Sequence, residues 1–320
     1  MPDAAIPERY FYHTFARPRV DLDTITHAIN ILESIADNGL ILTPEMQEFR
    51  ETLDDDTLGK PVQLFQKRIC FTELAPSELA DHSRTFGPIS IEWDIATLRS
   101  MGAIPVFYVP LRPTPGSLEG IGVALLARLG EIQTVLTRLE SLSAAARSAT
   151  HPQEALNVTR NGVLAGTTRL TAAGAADLIN FLQYEQQPID ALAASIRALC
   201  GYFYPVDDVS FTGPLGYYRQ REWRIVGNMI HLGRDVTVPL SEDIQAKLSA
   251  MNPAFWNKTM QFPSGAHTRA QQSQLMPSFR DLPIIRSARR IVVPANAEAL
   301  ANEVLMAREL AVPVVALESL

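Results

Sequence analysis

Three prolines within Pro110-Leu111-Arg112-Pro113-Thr114-Pro115-Gly116 divide this chain into two textures, and that division limits the folds open to it. Before the break, strand-like segments alternate with short helical ones. After it, as far as Tyr202, Leu, Ala, Glu and Arg recur at helical spacing, and beyond Tyr202 the strand texture returns. A sheet interrupted by a helical stretch and then resumed reads as an α+β fold, with a mixed central sheet, short helices and a helical insertion. The expected division is 1–116 and 202–320 for the two parts of the α+β domain and 117–201 for the insertion.

The first part opens with the strand-like Arg9-Tyr10-Phe11-Tyr12-His13-Thr14-Phe15. A helix follows in which Leu22, Ile25, Ala28, Ile29, Leu32 and Ile35 share a face, with Asp21 or Asp23 as N-cap and Asn38-Gly39 as the stop. Leu40–Leu42 reads as a short strand, Pro44–Leu53 as a helical excursion and Asp54–Asp56 as a solvated turn. Further strands are read at Arg68–Glu73, Pro88–Trp93 and Ile104–Val109, the last with Pro105 near its start, where it does least harm. No glycine-rich turn follows these strands, which disfavours Rossmann and P-loop sites. In the insertion, Leu125, Leu129, Ile132, Leu136 and Leu139 recur at three- and four-residue intervals as a long amphipathic helix, and Pro188 divides two more over Thr171–Cys200. Such a lobe completes a core, shapes a pocket or offers a partner surface. Past Tyr202 come Leu240–Met251 as a Ser241-capped helix, Asn252–Pro283 as a long loop, and a strand-helix-strand ending over Ala288–Leu317, which favours a parallel pair.

Composition narrows the function classes. A net charge of −7 over 320 residues gives no basic footprint, so nucleic acid is not expected as a general partner. Two cysteines, Cys70 and Cys200, are too few for a disulfide framework or a thiolate zinc site, and the N-terminus lacks a signal-peptide pattern. No apolar run is long enough to span a bilayer. The expectation is a cytoplasmic protein.

The candidate site centres on Tyr217–Val226, where Arg221, Glu222 and Arg224 sit among aromatic and β-branched residues. On a strand, Gln220, Glu222 and Arg224 point to one face and Arg221, Trp223 and Ile225 to the other. That polar face lines a cleft or is an ordinary solvated sheet face. Arg221 or Arg224 is placed to neutralise Glu222. His82, imagined with Glu73 and Asp81 as a metal site, reads better as structural, because neighbouring helical positions face different ways. Arg286, Arg289 and Arg290 read as a solvated cluster.

Five fragments carry a family resemblance in order: Tyr12-His13-Thr14, Cys70-Phe71-Thr72-Glu73 with His82 and Phe86-Gly87 after it, Gly102–Tyr108, Tyr218–Arg224, and Arg290–Pro294. Together they resemble the AbiGi-like abortive-infection proteins of bacteria, which implies a part in phage defence, often as the antitoxin-like partner of a pair. A more distant resemblance is to the ADP-ribosyltransferase arrangement, which implies NAD as cofactor. On it, His13 would bind the NAD ribose, Phe71 and Thr72 would form the cleft wall, and Glu222 would stabilise the oxocarbenium ion as the catalytic carboxylate. Gln220 would orient the acceptor, and Tyr12, Tyr108 or Tyr218 would complete the middle motif. A fixed carboxylate lowers that barrier electrostatically. The rival reading is a non-catalytic antitoxin or partner-binding module that uses the helical insertion. The arrangement that separates them is His13 facing Glu222 across one cleft.

Overall fold

The computed structural model describes residues 9–18, 23–52, 58–109, 121–147, 154–160, 163–170, 174, 177, 189–205, 221–227, 230–231, 234–262 and 265–320. It divides into a first unit of residues 1–49, 63–111 and 201–320 and a second of 50–62 and 112–200. The first unit opens with β1 (Tyr10–Phe15), α1 (Thr24–Asn38) and a long hairpin of β2 (Leu40–Thr52) and β3 (Leu58–Leu74), whose tip belongs to the second unit. Next come α2 (Leu79–Phe86), β4 (Ile89–Trp93), α3 (Ile95–Ser100), β5 (Ile104–Pro105) and β6 (Phe107–Val109). The second unit holds α4 (Ile121–Arg147), the hairpin β7 (Glu154–Arg160) and β8 (Val163–Leu170), and α5 (Ile189–Cys200).

The first unit resumes with β9 (Phe203–Pro205), β10 (Glu222–Val226) and the short pair β11 (Ile230–His231) and β12 (Arg234–Asp235). It continues through β13 (Val238–Pro239), α6 (Glu242–Met251), α7 (Pro253–Trp256), the hairpin β14 (Thr259–Phe262) and β15 (Gly265–Thr268), and α8 (Arg269–Gln272). It ends with β16 (Gln274–Met276), the pair β17 (Ser278–Phe279) and β18 (Leu282–Pro283), β19 (Arg290–Val293), α9 (Glu298–Met306) and β20 (Val314–Ala316).

Ten strands make one mixed sheet in the order β13-β16-β2-β3-β1-β4-β19-β20, with β10 and then β5 branching from β3. The fold is α+β, as the sequence texture implies, and β19 and β20 are parallel across the α9 crossover. One face of the sheet, with Phe11, Phe71, Ile91, Trp93, Ile225 and Ile291, is covered by Ala28, Leu32 and Ile35 of α1 and Ala301 and Leu305 of α9. Full burial of a side chain such as Leu32 contributes about 2 kcal/mol. α1 starts where Asp23 accepts from the Ile25 N–H and stops at Gly39, whose φ of 108° suits a residue without Cβ.

Three readings need correction. In the stretch read as a helical excursion, Pro44–Leu53, the described residues Pro44–Thr52 are not helical but continue β2. Pro44 lies beyond the last β2 residue paired with β16, so its missing N–H costs that ladder nothing. Asn252–Pro283 is not a loop: it holds two short helices, a hairpin and the sheet strand β16, elements too short for a periodicity to develop. The insertion is not wholly helical, because Glu154–Leu170 forms the β7–β8 hairpin. Its β-branched runs flank Asn161-Gly162, a hairpin signal that the helical texture around it obscures. Asp54–Asp56, Asn228 and most of Thr171–Pro188 lie outside the described residues.

Candidate functional site

The register of β1, β3 and β10 fixes which side chains can meet. Tyr12 and Glu222 both pair with Thr72, so β1 and β10 flank β3 on opposite edges and the three residues form a row. Arg224 pairs with Cys70 two residues on, and side chains alternate, so Tyr12, Thr72, Cys70, Glu222 and Arg224 share one face. His13, Phe71, Trp223 and Ile225 occupy the other, where Phe71 meets His13 at 5.7 Å and Trp93 at 5.5 Å between ring centroids. His13 and Glu222 therefore do not face each other across a cleft. The grouping of His13 and Phe71 with Glu222 in one NAD site is corrected on this ground: an odd-numbered residue of β1 or β3 cannot share the even face. Trp223 and Ile225 do pack behind the Glu222 face, as alternation requires.

Glu222 is held by its own strand. Arg224 Nε donates to its Oε1 at 2.8 Å, and the Arg224 side chain is fully buried. Arg224 Nη1 reaches the Gly201 carbonyl at 3.2 Å, its guanidinium stacks 4.8 Å from the Tyr204 ring, and Nη2 has no hydrogen-bond partner among the described residues. Arg68 lies over the same ring and is tied to Gln66 and Glu45. Burial alone would raise the Glu222 carboxyl, but the charge and hydrogen bond of Arg224, with help from Cys70 and Arg68, hold it below the usual range. Burial and the neighbouring Glu222 push the Cys70 thiol up to about 12, so it is no nucleophile at neutral pH. Such a cluster fixes a sheet face; every charge in it already has an opposite charge at hand.

The remaining candidates are dispersed. Gln220, Tyr218 and Arg219 lie outside the described residues. Arg221, at φ 44°, accepts from the Glu73 N–H at 3.2 Å through its carbonyl, while its side chain clasps both oxygens of Glu78 at 2.8 and 2.9 Å. His82 stacks on Phe86 at 4.3 Å, and burial with the charge of Arg17 lowers it to about 4. It is a neutral packing residue, and among the described residues no group of His, Cys, Asp and Glu is placed to hold a metal. Arg289 and Arg290 are not simply solvated. They converge at 3.3 and 2.9 Å on Glu92, fully buried, which also accepts from the Tyr12 hydroxyl at 2.6 Å. The signal for this cluster is a glutamate alternating with Ile89, Ile91 and Trp93, which puts a charge on the face those residues leave.

A cavity of about 640 Å³ lies in the first unit where the sheet splits. Odd-numbered β3 residues bond to β10, as in Gly227 N–H to Lys67 C=O, so Cys70 directs its carbonyl to the other edge. There β1 has parted from β3 after Tyr12, and the His13 ring fills the gap, with Nδ1 at 2.9 Å from that carbonyl. The walls come from β1, α1, β2, β3, α6 and α7.

No family model matches the chain, and no curated protein or solved structure matches it. Among the described residues, no helix is long and apolar enough to cross a membrane.

Proposed function

We propose that this is a cytoplasmic phage-defence protein of the abortive-infection type that works by binding a partner protein, not by NAD-dependent transfer. The single observation that carries the reading is an exposed apolar stripe on α4. Ile121, Leu125, Ile132 and Val135 are each about half exposed, Leu125 at 57%, whereas Leu126 and Leu136 are buried. At 100° per residue the four fall within about 80° of one another, along about 21 Å of helix. With Arg128 they follow a four-three-four-three spacing, the spacing of a coiled-coil seam. On α5, which packs against α4, Leu192 and Leu199 are likewise exposed one heptad apart. The occupant that fits is an amphipathic helix of a partner, laid along the seam, which Arg128 interrupts with a charge paired to Glu131 at its border. Against transfer stand the opposite faces of His13 and Glu222 and the Arg224 pair on the carboxylate.

Plating efficiency of phage on cells expressing the protein tests this. Leu125→Glu/Ile132→Glu is expected to lose protection with its circular dichroism unchanged, while Glu222→Gln, if folded, protects and leaves labelled NAD untouched. Protection lost in a folded Glu222→Gln and retained in the seam variant would reverse the assignment. A protein that is dimeric only with its seam intact would make the occupant a second copy, against a separate partner.

A further inference from the structure

The cavity at the sheet split has no part in the reading above. It is of the size that takes a small molecule, since ligand pockets run from roughly 300 to 1,000 Å³. Its walls are mostly apolar, with Ile31 and Ile35 from α1, Leu40 from β2, and Leu248 and Met251 from α6. Aromatic rings line it as well: Phe15 from β1, and Phe255 and Trp256 of α7, set edge to face at 4.9 Å. Such walls favour a flat ring system.

Polar residues line it too, His27, Ser34, Thr43 and Asn252 among them. Glu45 and Arg68 line the cavity, but they are paired with each other, so a charged ligand would have to break that pair or be desolvated against hydrocarbon. Arg17 is exposed and stacked 4.9 Å from the Phe86 ring. His13 is different. The Cys70 carbonyl can only accept, so His13 Nδ1 carries the proton and donates it. Burial, which outweighs the pull of that carbonyl, keeps the ring neutral, so Nε2 holds a lone pair. That nitrogen is the ring's one remaining polar atom, and His13 is among the residues that line the cavity.

We propose that the cavity binds an uncharged, ring-bearing, largely apolar small molecule that donates one hydrogen bond to His13 Nε2. His13 thereby joins two tasks: it closes the open edge of β3 with one nitrogen and selects a hydroxyl or N–H donor with the other.

The probes are 2-naphthol and 2-fluoronaphthalene, which are close in size and differ chiefly in the O–H donor, titrated against the full-length protein by ligand-observed NMR. The naphthol is expected to bind about fivefold tighter than the fluoride, the worth of one net hydrogen bond. His13→Phe, which keeps an aromatic ring against Phe71, is expected to abolish the preference while still binding both. Ile31→Trp and Met251→Trp fill the cavity from two helices and are expected to weaken both probes at least tenfold, with folding checked by circular dichroism. Failure of the naphthol to bind, equal binding of the two probes, a preference that survives His13→Phe, or undiminished binding in a folded filling variant would each overturn the proposal.

Discussion

His82 shows how a histidine that looks like a ligand serves as packing. Its ring lies flat on Phe86 within α2, where burial and the nearby Arg17 charge lower it to about 4 from an ordinary value of 6.5. Below pH 6.5 the unfolded chain takes up a proton that the folded His82 refuses, so folding loses stability as the pH falls from about 6.5 to about 4. His13 is lowered as well and adds to the same slope. Glu222 and Glu78, both held below their ordinary values, contribute stability that is lost only under more acidic conditions, as the pH falls through their folded values. His82→Phe keeps the stacking and removes the titration. Urea unfolding at pH 7, 6 and 5 is therefore expected to give a shallower loss of stability in the variant than in the wild type. An identical pH slope in the two proteins would mean that His82 does not contribute to it.

At the scale of elements, the turns are as constrained as the strands. Gly87 ends α2 at φ 131°, and a Cβ there would stand 1.7 Å from the Phe15 carbonyl oxygen, so the backbone of the α2–β4 turn rests directly on the end of β1. Gly87→Ala meets both an unfavourable dihedral and a backbone collision, and is expected to cost at least about 3 kcal/mol in thermal or urea unfolding. A cost under 1 kcal/mol would mean that this turn is not held against β1. The sequence announces such places by Phe86-Gly87 and Asn38-Gly39, and it announces strands whose alternation is clean, as at Ile89–Trp93 and Glu222–Val226. It shows the start of β2 at Leu40–Leu42 but hides its continuation behind Pro44, and it hides β16 within a stretch of two- to four-residue elements, because pairing with distant strands, not local pattern, makes those segments extended.

In the whole molecule, the alternation that assigns Glu222 and Trp223 to opposite faces is legible in the sequence. The register that sets β1 against β3 is not, since it is decided by contacts about sixty residues apart. The resemblance groups His13 with Glu222; the sheet separates them by one residue of register, which is a full face. The same sheet makes Glu222 the partner of a fully buried arginine, and in that role the carboxylate holds the fold together. A double-mutant cycle in urea unfolding measures that role. Glu222→Gln is predicted to cost about 3 kcal/mol by leaving Arg224 buried without a counter-charge, and Glu222→Leu/Arg224→Met to recover most of that loss. A Glu222→Gln protein as stable as the wild type, or more so, would deny the carboxylate that structural role, because it would mark Glu222 as a group kept at the expense of stability, as in an active site.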